Sequence, residues 1–227
     1  MSCFAALKIA IASIDPVCIE KEVALYGRLN HHDVQVDGAR RFVHLCDFFH
    51  HAGPNGQHSC WVFEPMGPNL NTMLKRCPDF QIGEPWERRF TPQYAKRLLR
   101  DTLYGLDFLH SNDVVHGDLH PGNILVAIRP LEADDKMIQD LETWPSQGSS
   151  LDRLDGKADL WAPPYLLQPD PLYDYTSADL EPLAKITDLG AGEFLSNFES
   201  EFCCKNTNTV QHSLYTILPK RQLPLQL

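Results

Sequence analysis

Basic residues are scarce in this chain: 20 Lys and Arg stand against 30 Asp and Glu, a formal net charge of −10. That balance argues against direct nucleic-acid binding, because phosphate backbones are gripped by clustered Lys and Arg. An acidic surface favours basic protein partners instead, chiefly by speeding encounter. No stretch approaches the roughly eighteen uninterrupted apolar residues of a membrane-spanning helix. The apolar start, Phe4 to Ala12, has no basic run ahead of it and carries Lys8 inside it, so it does not read as a secretory leader. The 7 cysteines include no C-x-x-C spacing, and the neighbours Cys203-Cys204 do not suit a long-loop bridge. Free thiols in a reducing compartment, cytoplasm or nucleus, are the expectation.

What is present is ordinary globular composition, 43% hydrophobic and 22% charged over 227 residues, enough for one sizeable core or two small lobes. Residues 4–12 suit a buried strand bearing one Lys. Asp15-Pro16 opens a helix, with Asp as N-cap and Pro at the first helical position, and Ile19, Val23, Tyr26 and Leu29 recur at helical spacing. Two apolar runs, Phe42–Phe49 and Cys60–Phe63, flank the turn-rich His50–Gln57 and read as a hairpin. Thr91-Pro92 opens the strongest helix. Its expected core face is Ala95, Leu99, Leu103 and Leu106, supported by Leu98 and Leu109. Val114-Val115-His116 and Ile124-Leu125-Val126 read as short strands around a polar loop. The pairs His31-His32 and His50-His51 read as surface residues near turns.

Residues 129–185 change character, with seven of the 17 prolines and twelve acids against five bases, and read as a poorly ordered insertion. Lys185-Ile186-Thr187 then resumes a strand, which should pair antiparallel with Ile124-Leu125-Val126. Beyond Ser200 no period is evident, and residues 194–227 are left unassigned.

Chemistry concentrates in His116-Gly117-Asp118-Leu119-His120-Pro121-Gly122-Asn123. An Asp and an Asn five apart on a tight loop can share one phosphate-and-metal site. Asp118 can orient a hydroxyl nucleophile and accept its proton, while the Asn123 amide oxygen suits a divalent cation. Asp188, in Asp-Leu-Gly, supplies a hard carboxylate for Mg²⁺, and Gly190 lets the backbone bend beside it. His116, Asp118 and His120 alternate as zinc ligands sometimes do, but no further cluster completes four ligands. The plainer reading makes His116 a loop histidine bonded to backbone near Asp188.

His-Gly-Asp-x-x-x-x-Asn followed by Asp-Leu-Gly resembles the catalytic loop and metal motif of the protein kinases. Ala6-Leu7-Lys8-Ile9-Ala10 resembles the strand whose Lys holds ATP phosphates, and Glu22 matches its acidic partner. Trp61-Val62-Phe63-Glu64-Pro65-Met66-Gly67 resembles the interlobe hinge, with Phe63 as gatekeeper and Glu64 and Met66 facing adenine. That hinge, and the long spacer, are most similar to the SR-protein kinases. The resemblance implies an α+β, two-lobed fold: residues 1–67 as upper lobe and hinge, 68–128 as lower-lobe helices and catalytic loop, 129–184 as spacer, and 185–193 as metal segment. It also implies ATP and Mg²⁺ as cofactors and a Ser/Thr protein substrate, Arg/Ser-rich by inheritance, with no nucleic acid or membrane as direct partner.

The match has gaps. Seven residues precede Lys8, leaving the Gly-rich loop unmatched, and nothing after Gly192 resembles the remaining lower-lobe helices. An incomplete fold follows, with an open edge along residues 4–12, an uncovered stripe along 95–109, weak nucleotide binding and negligible turnover. His120 stands where these kinases carry Lys, replacing a permanent point charge by an imidazole. Two other readings stay open: a small-molecule phosphotransferase of the aminoglycoside or choline kinase type, and a non-catalytic kinase remnant.

Overall fold

The computed structural model describes residues 4–30, 36–53, 56–77, 88–129, 149–150, 165–166, 172–176, 179–180, 183–198 and 213–219. The first strand, β1 (Phe4–Ala10), is buried along nearly its whole length, Lys8 included. Asp15 starts α1 (Pro16–Asn30) by accepting the Val17 N–H at 3.0 Å. The helix buries Ile19, Glu22, Leu25, Tyr26 and Leu29, close to the expected stripe, while Val23 is half-buried. A 3₁₀ turn at Ala39–Arg41 leads to β2 (Leu45–Gly53) and β3 (Gly56–Phe63), paired from Leu45↔Phe63 to Gly53↔Gly56. Both strands run on through residues expected to form the linker.

Two helices build the lower part. Asn69 caps α2 (Leu70–Arg76) by accepting the Thr72 N–H at 2.8 Å, and Thr91 caps α3 (Pro92–Ser111) by accepting that of Tyr94 at 3.3 Å. The buried face of α3 is Leu98, Asp101, Gly105, Phe108 and Leu109. Leu99 and Leu103, expected in the core, are 64% and 65% exposed. The helix is turned because its inner face carries an acid and a glycine, which apolar counting passes over. Gly105 is there for space: a Cβ would lie 2.9 Å from both the Arg41 carbonyl oxygen and Ile186 Cδ1.

β4 (Val114–Val115) and β5 (Ile124–Val126) bracket the polar loop as expected. Within the acidic spacer, β6 (Ser149–Ser150) pairs with β7 (Tyr165–Leu166), and Tyr173–Tyr175 form a 3₁₀ turn. That turn is tied down, since Arg129 N donates to the Tyr175 carbonyl at 2.8 Å and Tyr173 Oη to that of Thr72 at 3.2 Å. The spacer's last part therefore docks on the lower helices rather than hanging loose; residues 130–148 and 151–164 lie outside the described residues. Its two ends meet, Ala127 N donating to the Leu183 carbonyl at 2.8 Å. β8 (Ala184–Ile186) pairs antiparallel with β5 in the register Ile124↔Ile186, the pairing expected from the sequence, one residue earlier in its bounds.

β9 (Glu193–Phe194) pairs with β4, and Leu195–Phe198 make one helical turn. β10 (Ser213–Pro219) then runs antiparallel along all of β1, giving the sheet order β10-β1-β3-β2. The open edge expected along residues 4–12 is therefore closed, by part of the tail that carried no sequence assignment. The segment Ser-Leu-Tyr-Thr-Ile-Leu-Pro is uncharged and rich in residues that favour strands. One core cluster, from Leu25, Tyr26 and Trp61 to Phe108, Ile186 and Leu189, welds the sheet, α1 and α3 together. Among the described residues Cys18 and Cys60 carry free thiols, and no helix is long and apolar enough to cross a membrane. His31-His32 and Cys203-Cys204 lie outside the described residues.

Candidate active site

An ammonium buried in a strand needs anionic partners, because desolvating an unpaired charge is too costly to persist. Lys8, 2% exposed, has two: its Nζ donates to Glu22 Oε1 at 2.8 Å and to Asp188 Oδ1 at 3.0 Å. The Trp61 ring lies beneath, its centroid 5.2 Å from Nζ. One cation cannot serve both acids equally. At Glu22 burial dominates and pushes the carboxyl up, despite the Lys8 charge and hydrogen bond; the Asp188 charge adds to the rise. Burial also works to raise Asp188, which is 30% exposed, but the Lys8 ammonium, aided by the Gly190 N–H, holds it below its ordinary value.

Asp188 occupies left-handed backbone at φ 68°, where a short polar side chain is among the few tolerated. The bend expected at Gly190 thus falls on the acid itself, and the Gly190 N–H returns to Asp188 Oδ1 at 3.3 Å. His116 joins the two halves of the site. Its buried ring bonds through Nε2 to the Thr187 carbonyl at 3.0 Å, and its Nδ1 accepts the Asp118 N–H at 3.3 Å. Burial lowers the His116 pKa, against the raising effect of the Thr187 bond and the Asp188 and Asp118 charges. That is the backbone-bonded loop histidine read from the sequence.

Gly117 shows why the loop tolerates no side chain there. Its φ is +77°, and a Cβ would lie 2.1 Å from the Ala191 carbonyl oxygen. Asp118 and His120 face solvent, their side chains 62% and 48% exposed. His120 Nδ1 accepts the Gly122 N–H at 2.9 Å, which requires a lone pair on that nitrogen and leaves the ring proton on Nε2. Nε2 stands 3.6 Å from Asp118 Oδ2. Asn123 Nδ2 donates to the Asp118 carbonyl at 3.0 Å, tying the side chain back to the loop. The Thr187 N–H donates to the Asn123 carbonyl at 3.0 Å, so the β5–β8 pairing sets Asn123 beside the residue before Asp188.

The hinge residues divide. Phe63 is buried, its ring 5.3 Å from that of Tyr26, and Met66 packs against the main core. Glu64 has a side-chain task as well: both carboxylate oxygens receive the Lys185 ammonium at 2.7 Å, and Oε1 accepts the His44 N–H at 2.8 Å. Sequence reasoning missed this staple, and it missed Asp101. That acid, fully buried, accepts Arg41 Nε at 3.1 Å through Oδ1 and the Leu183 and Ala184 N–H groups at 2.7 and 3.3 Å through Oδ2. No motif marks either; an acid on the inner face of an amphipathic helix was the only signal.

Residues 7–141, more than half of the chain, match the protein kinase domain family. The serine/threonine-protein kinase SKY1 of Saccharomyces cerevisiae is 32% identical over 139 residues, 59% of this chain and 18% of that protein. The serine/threonine-protein kinase SRPK of Physarum polycephalum is 38% identical over 101 residues, 42% of this chain and 22% of that protein. The chain thus spans roughly a fifth of the length of these curated relatives. A kinase-domain crystal structure superposes with a TM-score of 0.50 over 88% of this chain and 45% of that one, at 18% identity, a likeness of fold. With the buried Lys8 and Glu22 joined to the partly exposed Asp188 beside the 116–123 loop, the chain belongs to the protein kinase domain family and has its α+β fold.

Proposed function

We propose that the chain carries the phosphoryl-transfer site of a Ser/Thr protein kinase of the SR-protein kinase type. The observation that supports this best is the double pairing of Lys8 with Glu22 and Asp188, two sites 14 and 180 residues away in sequence. The residues present fit a magnesium nucleotide: a partly exposed carboxylate at Asp188 and a neighbouring amide oxygen at Asn123 are the hard donors Mg²⁺ prefers. Bound Mg-ATP supplies the transferable phosphoryl group and the charge that offsets its oxygens. Lys8, positioned by Glu22, is the cation for the phosphates. Asp118 orients the acceptor hydroxyl and takes its proton, and the His120 Nε2–H stands beside it as a hydrogen-bond donor. Phe63 closes the rear of the adenine site, with Glu64 and Met66 lending backbone groups.

An Arg/Ser-rich protein substrate is inferred from the named relatives and from the chain's acidity, which would draw a basic segment. Calorimetry with Mg-ATP, and labelled phosphate transfer to an Arg/Ser-rich peptide, test the proposal. Expected is Mg-dependent binding that Asp188→Asn and Lys8→Met both abolish, and any transfer to the peptide eliminated by Asp118→Asn. Equal affinity with and without Mg²⁺ overturns the site, and transfer to amino-alcohols in place of the peptide overturns the substrate class. Binding without transfer to either leaves a nucleotide-binding remnant and refutes the enzymatic reading for this chain.

A further inference from the structure

β1 has the burial of a central strand. Phe4, Ala5, Leu7, Lys8 and Ala10 are all buried; Ala5 and Leu7 join Cys60 and Val62 in one cluster while Ala10 belongs to the main core, so both faces are covered. A strand of that character with an open edge would recruit other chains, since its unpaired N–H and C=O groups template strand addition. β3 covers one edge from Ala6↔Phe63 to Ile9↔Cys60. The other is covered by β10 over seven residue pairs, Phe4↔Pro219 to Ala10↔Ser213, with Tyr215 in register with Lys8. Among the described residues β10 is then the last strand of the sheet, and it ends in Pro219. Proline is one of the usual means of blunting an edge.

We propose that the outer edge of β1 is a strand-acceptor site, and that its occupant is the chain's own segment 213–219, acting as a separable strand that can be returned in trans. The proposal stands on backbone pairing and burial, independent of the phosphoryl-transfer reading. What recognises the segment is the ladder itself, an extended, uncharged stretch alternating with the β1 register, as in other strand additions.

The test uses the full chain with Tyr215→Pro and Thr216→Pro together. In an antiparallel ladder successive N–H groups point to opposite sides, so one of two adjacent prolines must delete a bond to β1. Amide exchange is followed in β1, with β2 and β3 as internal reference, alone and with a free peptide of residues 211–221. Expected is a loss of protection of roughly tenfold or more at alternate β1 amides, restored saturably by the peptide but not by a peptide carrying the two prolines. Unchanged β1 protection in the variant overturns the pairing. Failure of the peptide to restore it, with β2 and β3 still protected, overturns the separable strand. Should the variant not fold, Ile9→Cys with Leu214→Cys in the otherwise native chain decides, because these residues face each other in the register. Because native Cys60 faces residue 9 across the other edge, the disulfides formed on mild oxidation are mapped by digestion, and a 9–214 link within one chain supports the assignment. A 9–214 link between two copies makes a second copy the occupant and overturns it, as does no 9–214 link.

Discussion

β8 is gripped at both ends by buried charge, and the two grips are mirror images. Beyond its C-terminal end one cation, Lys8, is shared by two acids, Glu22 and Asp188. At its N-terminal end one acid, Asp101, is shared by two arginines, Arg41 and Arg100, and by the backbone N–H groups of Leu183 and Ala184. The difference lies in what each cluster can do when a partner is lost. Glu22, already pushed up by burial, can take a proton and become neutral. The Arg41 guanidinium, 4% exposed, cannot shed one. The upper cluster is adjustable, as suits a site where charged ligands come and go; the lower one is fixed.

The largest expected effect breaks the lower grip. Asp101→Ala leaves the Leu183 and Ala184 N–H groups without their acceptor and takes from Arg41 one of its two carboxylates, Asp37 remaining at 2.9 Å, and should cost about 3–5 kcal/mol in urea unfolding, the range for removing one partner of a buried ion pair. Lys8→Met should cost less, because its acids have a neutral form available. Equal or greater loss for Lys8→Met would show that the upper cluster is no more adjustable than the lower. Next in size, Gly117→Ala tests whether backbone contact also holds the C-terminal side of β8. With φ at +77° and the Ala191 carbonyl in the way, it should cost about 1–3 kcal/mol. A melting temperature equal to the parent's would mean that the segment after Asp188 moves freely.

How much of this could be read from the chain differs between the two grips. Asp188 was legible from its place in Asp-Leu-Gly, and Lys8 and Glu22 only through the resemblance to kinase motifs; the pairing of residues 124–126 with the strand before Asp188 followed. Asp101 was not, because a buried acid on a helix leaves no trace in apolar spacing; the same blindness turned the expected face of α3 toward Leu99 and Leu103. The hairpin and the caps of α1 and α3 were legible from local residues, Asp15-Pro16 and Thr91-Pro92. β10 was not: a partnership between Phe4 and Pro219 is written in no local pattern, only in the excess burial of β1.

Acid should act on the upper grip first. Burial lowers the His116 pKa from its ordinary 6.5, so the unfolded chain binds a proton that the folded chain resists. Stability should therefore be full above the ordinary value and fall as pH drops from there toward the depressed folded one, by at most about 1.4 kcal/mol per pH unit. Replacing His116 by Gln should flatten that part of the profile and leave the Asp101 end untouched. An unchanged slope would place the titration elsewhere.

The smallest effect expected belongs to the staple at the middle of β8. Lys185 meets Glu64 at 2.7 Å, yet the side chains are 15% and 29% exposed, and water screens what geometry offers. Glu64 also accepts the His44 N–H, but that group is exposed and water can replace the acceptor. A double-mutant cycle with Glu64→Ala and Lys185→Ala should give a coupling of about 0.2–1 kcal/mol, shrinking further as salt is raised. The strand would then be held chiefly at its ends, leaving the hinge free to shift relative to β8. A coupling above about 2 kcal/mol that survives high salt would instead make Glu64 a third fixed grip and tie hinge and metal segment into one rigid piece.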